Sequence, residues 1–199
     1  MMNHTRRVLE WGFGLGLALT VVLTALTGWQ RTAARVRADT LRLHVLANSD
    51  TWEDQLLKLQ VRDAVLDALP PAVCAASSPE EAAAALRQAL PALQAAANAA
   101  LHRAHSAQTA RLRLEQAEFA ARDYGSFALP GGRYTALRVE LGAAAGRNWF
   151  CVLYPALCVA GAQADYPTAG ENAMVFGRFT VRLAAVDFVR GLAARIHCI

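Results

Sequence analysis

The stretch Leu41-Arg42-Leu43-His44-Val45-Leu46, followed by Ala47-Asn48-Ser49-Asp50, decides how the rest of the chain is read. Leu41, Leu43 and Val45 alternate with Arg42, His44 and Leu46, the period of two that marks a strand with one face in a core. Asn48-Ser49-Asp50 then supplies turn chemistry, short polar side chains that bond back to the local backbone. Asp50 with Glu53 three residues on has the spacing of a capping pair, so a helix is expected to begin here. Leu57, Val61, Ala64, Val65 and Ala68 form its buried stripe. Pro70-Pro71 stops it, because proline has no N–H to donate and clashes with the preceding turn.

Downstream, Ser78-Pro79-Glu80-Glu81 reads as a helix start: a cap, a first-turn proline and two acids at the positive end of the dipole. Leu86, Leu90, Leu93, Ala97 and Leu101 keep helical spacing, and Pro91 in the middle predicts a kink or two successive helices. From Gln108 the period returns to two, with Ala110, Leu112 and Leu114 against Arg111, Arg113 and Glu115. Residues 119–132 read as a loop, and residues 134–141 as a second alternating strand with Leu137, Val139 and Leu141 inward. Residues 148–154 are apolar on both faces, which suits a central strand, and residues 142–146 read as a hairpin joining the two. Beyond Pro155 the chain is irregular to about Met174, then helix-like through Phe179, Leu183, Val186, Val189 and Ile196. The expected class is α+β: a mostly antiparallel sheet of about four strands with helices packed on one face.

Upstream, residues 11–30 carry no charge, with Arg6 and Arg7 before them and Arg31, Arg35 and Arg37 after. A positive start and an apolar run are what an export signal needs, and this run is also about long enough to cross a bilayer. The expected organisation is a signal peptide or uncleaved membrane anchor at 1–30, a linker at 31–40 and one extracytoplasmic domain at 41–199. A cleavage site after Thr27 is poor. Composition sets limits on function. Alanine accounts for 43 of 199 residues, so the 55% apolar fraction overstates the core, and a polytopic membrane protein is excluded. Nineteen of the twenty cations are arginine, Lys58 being the exception, and they are scattered without interleaved aromatics, which excludes a nucleic-acid binder.

Outside the cytoplasm, disulfides are permissible. Cys74, Cys151, Cys158 and Cys198 allow three full pairings, and Cys151 with Cys158 closes the shortest loop. No Cys/His spacing suggests a metal, and no motif calls for a cofactor. Asp50, Asp54, Lys58 and Arg62 fall at four-residue intervals and so share a ridge of one helix, with Asp54 and Lys58 in the favourable order for an ion pair. A solvated helix face is the plain account of that ridge. A set from another class is Cys151 as nucleophile, His44 as base and Asn48 as orienter, a constellation that requires the strands to bring them together. Tyr134, Trp149, Phe150 and Tyr154 suit core packing better than an aromatic docking patch.

Three blocks carry a resemblance. The first is Leu43-His44-Val45-Leu46-Ala47-Asn48-Ser49-Asp50 with Asp54-Gln55, Lys58 and Val61-Arg62-Asp63. The second is Tyr124-Gly125 with Leu129-Pro130-Gly131-Gly132-Arg133-Tyr134-Thr135-Ala136-Leu137-Arg138-Val139. The third runs from Gly146-Arg147-Asn148-Trp149-Phe150-Cys151 through Tyr154-Pro155-Ala156-Leu157-Cys158. In this order and spacing, over about 120 residues, the chain resembles the stage II sporulation protein R family. Ala120, Phe150 and Ala156 depart from the proline, tryptophan and proline that the family favours there.

The resemblance implies a signalling protein made in the forespore and exported to the space between the two membranes. There it would activate, by binding, a membrane-embedded aspartic protease that processes the pro-form of a mother-cell sigma factor. On that reading the expected protein is not an enzyme, and it has the membrane and the protease as partners. Its contact candidates are His44, Asn48, Asp50, Asp54, Lys58 and Arg62. The alternatives are a cysteine-dependent hydrolase acting on cell-wall or peptide substrates, and a tethered structural domain.

Overall fold

In the computed structural model, residues 2–157 and 166–177 are described. The stretch that opened the sequence forms β1 (Leu41–Leu46), and all six of its residues are buried. A strand covered on both faces needs neighbours on both edges to satisfy its backbone, and β1 has them. It pairs in parallel with β5 (Gly132–Leu141) and antiparallel with β6 (Asn148–Tyr154). β2 (Ala110–Phe119) adds antiparallel to the far side of β5, giving the order β2-β5-β1-β6. The class is therefore α+β with a mostly antiparallel four-stranded sheet.

Two expectations change here. Residues 148–154 form an edge strand of this sheet rather than a central one: their apolarity reflects cover on both faces, not strands on both sides. Residues 142–146 are also not a hairpin, because β1 lies between β5 and β6. The connection arches over the end of β1. The backbone of Ala47 and Asn48 holds it there, accepting from Gly146 N at 2.9 Å and Ala145 N at 3.1 Å.

One face of the sheet carries Leu41, Leu43, Val45, Leu137, Val139, Cys151 and Leu153. Against it pack α2 (Trp52–Asp67), the short α3 (Pro71–Cys74) and α4 (Pro79–Arg103), which contribute Leu57, Val61, Val73, Leu86, Leu93 and Leu101. Each fully buried leucine among them is worth about 1.5–3 kcal/mol. α4 runs unbroken through Pro91, against the expectation of a kink or two helices. Pro91 is exposed, so the carbonyl that loses its helical partner faces water. The α2 cap is Thr51, whose hydroxyl accepts from Asp54 N, and not Asp50. Pro70-Pro71 ends one helix and starts the next, a use of first-turn proline that the sequence reading passed over.

The opposite face is closed by different elements. Ala33 and Val36, on the last turns of α1 (Met2–Ala38), pack with Leu129, Val152, Tyr166, Met174 and Val175. The stretch expected as a linker, 31–40, is thus mostly helix docked on the domain. α5 (Ala169–Phe176) lies in a segment expected to be irregular, although Thr168 and Glu171 form a full capping box that the sequence displays. The loop at 119–132 holds a two-stranded ribbon, β3 (Arg122–Asp123) with β4 (Ala128–Leu129). The expected helix through Phe179 and Ile196, and Cys158 and Cys198, lie outside the described residues. From Arg6 to Gln30, α1 is exposed throughout, and it is long and apolar enough to span a bilayer.

Candidate functional site

The polar residues after β1 converge beneath the arch. Asp54 is the hub: its Oδ2 accepts from Asn48 Nδ2 at 2.8 Å and Ser49 Oγ at 2.5 Å, and its Oδ1 from Gln108 Nε2 at 2.6 Å. The Ser49 and Asn48 bonds hold the Asp54 carboxyl below the usual range, against the opposing effect of burial. Asn48 also reaches the other way, its Oδ1 accepting from Ala143 N at 2.9 Å. Asp50 Oδ1 accepts from Arg147 N at 2.6 Å. Two glycines make the close approach feasible. Gly142 sits at φ +53°, and a Cβ at Gly146 would meet the Ser49 carbonyl.

Lys58 completes the latch. Its ammonium donates to Gln55 Oε1 at 2.6 Å and to the Arg147 carbonyl at 3.0 Å, while Gln55 Nε2 donates to the Ser49 carbonyl at 2.8 Å. Burial lowers the lysine's pKa, the charge of nearby Asp50 opposing it. A compact ammonium donates here to two carbonyl-type oxygens, a geometry suited to lysine's point charge rather than to arginine's planar fork.

The expected ridge is therefore not one exposed line. Asp54 and Lys58 are buried, and they bond to the turn and the arch rather than to each other. Asp50 and Arg62 remain partly exposed, Arg62 pairing with Asp63 at 2.6 Å and lying 4.9 Å over the Trp149 ring. Most of the set expected to meet a partner ties β1, α2 and the arch together.

The cysteine constellation does not assemble. Leu43 pairs with Cys151 and His44 with Phe150, so side-chain alternation puts His44 and Cys151 on opposite faces of the sheet. Cys151 is buried and disulfide-bonded, hence no thiolate, while Cys74 is free and exposed; the expected partner Cys158 lies outside the described residues. Asn48 is committed to Asp54 and the arch. The four expected aromatics also divide between faces. Trp149 and Tyr154 join the helix-side core, whereas Tyr134 and Phe150 pack on the other.

That other face holds a second polar group at depth. Arg42 is 1% exposed, its guanidinium 4.0 Å from the Phe119 ring centre and 4.9 Å from Tyr134, with Nη2 donating to the Tyr124 hydroxyl at 2.7 Å. The ring faces supply the negative potential that a buried cation needs. Beside it His44 stacks on Phe150 at 4.6 Å, and neither ring nitrogen has a hydrogen-bond partner. Burial, then the nearby Arg138 charge, pushes its pKa down to about 4. Among the described residues no group of three or more His, Cys, Asp or Glu side chains could hold a metal ion.

The sequence reading missed the outward side of the latch. Trp52, the first residue of α2, is 73% exposed, and Leu56 one turn later is 42% exposed. An aromatic directly after a cap residue was the available signal. Gln55 fell within the motif but received no role, and Gln108 is a partner that only the fold supplies.

Comparison with known proteins places these blocks together. The model of the family described as stage II sporulation protein R matches residues 37–164. The Bacillus subtilis (strain 168) protein named Stage II sporulation protein R is 37% identical over 118 residues, 59% of this chain and 53% of that protein. The chain thus spans about half the length of that relative. No solved structure matches.

Proposed function

The chain belongs to the stage II sporulation protein R family, and from that premise we propose that it is an exported activator of a membrane-embedded aspartic protease. A role in sporulation follows from the family. The finer reading is that the chain is made in the forespore and enters the intermembrane space. There it binds the protease, which then processes the pro-form of a mother-cell sigma factor. Activation by binding demands a preformed surface that prefers the competent state of the partner. The observation that carries this reading is the division of the molecule. A helix that is apolar and exposed from Arg6 to Gln30 is fixed by its last turns to a domain whose most elaborate polar cluster is a latch, not a reactive site. The hydrolase alternative has nothing comparable, since His44 and Cys151 lie on opposite faces.

The test is reconstitution of sigma-factor processing in membranes containing the protease, its substrate and the full chain. Addition of the chain is expected to raise processing. Processing at the same rate with and without it would remove the proposal.

A further inference from the structure

The two ends of the sheet have different company. α1 meets the domain at the start of β5, where Arg37 donates to the Gly131 carbonyl at 3.2 Å and lies against Gly132. The latch lies at the other end, past Leu141, where the arch begins. Ten residues of β5 separate the two poles, about 33 Å at the usual rise. The far pole bears Trp52 and Leu56, four apart and so on one face of α2. Outside α1, these two and Phe176 are the exposed large apolar side chains among the described residues. Asp50 and Glu53 flank Trp52 in sequence, and Arg147 is held beside Asp50.

A large exposed indole on a mobile loop would carry little information. This one stands on a helix start whose cap, turn and overlying arch are bonded by Thr51, Asn48, Ser49, Asp54 and Lys58. Its backbone is therefore ordered before any partner arrives, which removes a common cost of association. Tryptophan is among the residue types most often found to dominate binding energy at interfaces.

We propose that this pole, with Trp52 and Leu56 at its centre and Asp50 and Arg147 at its rim, docks on the extracytoplasmic part of the protease. The indole enters an apolar cleft there. This rests on the proposed function, and it adds where contact is made. A partner embedded in a facing membrane meets first the pole furthest from the point where α1 joins the domain. The same distance argues against the chain's own bilayer as the occupant.

The test uses the full chain in the reconstituted membranes. A photo-reactive phenylalanine analogue at position 52 is expected to cross-link to the protease, and one at Arg133, exposed at the α1 end, is not. The double variant Trp52→Glu, Leu56→Glu is expected to need about thirtyfold more chain for half-maximal processing, the ordinary loss at an interface hot spot. Its thermal midpoint should match wild type. A cross-link to a second copy or to lipid, with none to the protease, overturns the proposal, as does a double variant that stimulates normally. Wild type that fails to stimulate removes the protease reading itself. Wild type that stimulates beside an equally active double variant removes only the docking surface.

Discussion

Truncating the hub of the latch should unfold the chain more readily while leaving the exposed Trp52 and Leu56 side chains themselves unaltered. Asp54→Ala leaves three donors, from Asn48, Ser49 and Gln108, without their acceptor. Hydrogen bonds to a charged group contribute about 1.5–3 kcal/mol each. Taking the low end, because Asn48, Ser49 and Gln108 are only half-buried, the loss is about 4.5 kcal/mol. For a domain of this size that is a fall of about 10 °C in the thermal midpoint. Asp54→Asn should cost far less, about 1–2 kcal/mol, for a specific reason. The Gln108 Oε1 is buried and unpartnered, so the Gln108 amide can turn over and accept from the new NH2 group. The exposed neighbour Glu53→Ala should melt within about 1 °C of wild type. The assay is thermal unfolding of the full chain in detergent, followed by near-ultraviolet circular dichroism. The Asp54 pKa is depressed on folding, so the contribution of its charge is present above the unfolded value. It is lost as pH falls through the folded one. If Asp54→Ala melted within about 3 °C of wild type, or the two variants fell equally, the latch would not be what holds this pole.

Two further perturbations act on other parts of the same architecture. Gly146→Ala would drive a Cβ into the backbone carbonyl of Ser49 and should cost about 3 kcal/mol, read as a lower urea midpoint with unchanged slope. His44 is held near pKa 4 in the fold against 6.5 when free, so stability should be constant above about pH 6.5 and decline as pH falls to about 4. The total decline from this group is about 3 kcal/mol, and urea titrations of His44→Phe should lack it.

The regular elements were legible because their periods are clean. Alternation at 41–46, 110–115 and 134–141 fell on real strands, and the Ser78 start of α4 carries the expected cap, its hydroxyl accepting from Glu81 N at 3.1 Å. What stayed hidden was everything set by distant pairing. A short run of glycine and alanine between two strands looks local, and nothing in it announces that β1 must pass beneath. Arg42 reads as a solvent-facing residue of a half-buried strand until Phe119 and Tyr134, far along the chain, close around it. The motif residues were recognised as a group, but their purpose was not. Spacing placed Asp54 and Lys58 on one ridge, whereas the arch, contributed from about 90 residues later, turned that ridge inward. Capping was nearly legible: the helix start was placed within a residue or two, and the cap shifted from Asp50 to Thr51 because Asp50 bonds Arg147 instead.

The position of β1 also sets a clock. It is the first strand in the chain, yet Leu41 pairs with Thr135, 94 residues later, and with Tyr154, 113 residues later. Contacts that span so much sequence form late and slowly, since the loop entropy is spent before any bond returns it. A chain made from its amino terminus therefore cannot close its sheet until Tyr154, of 199 residues, has been made. The helices α2 to α4 are available earlier, and the β1–β5 and β2–β5 pairings both wait on β5. The central placement of the first strand keeps the sheet open through most of synthesis, and lets the latch engage only after Arg147 has been made.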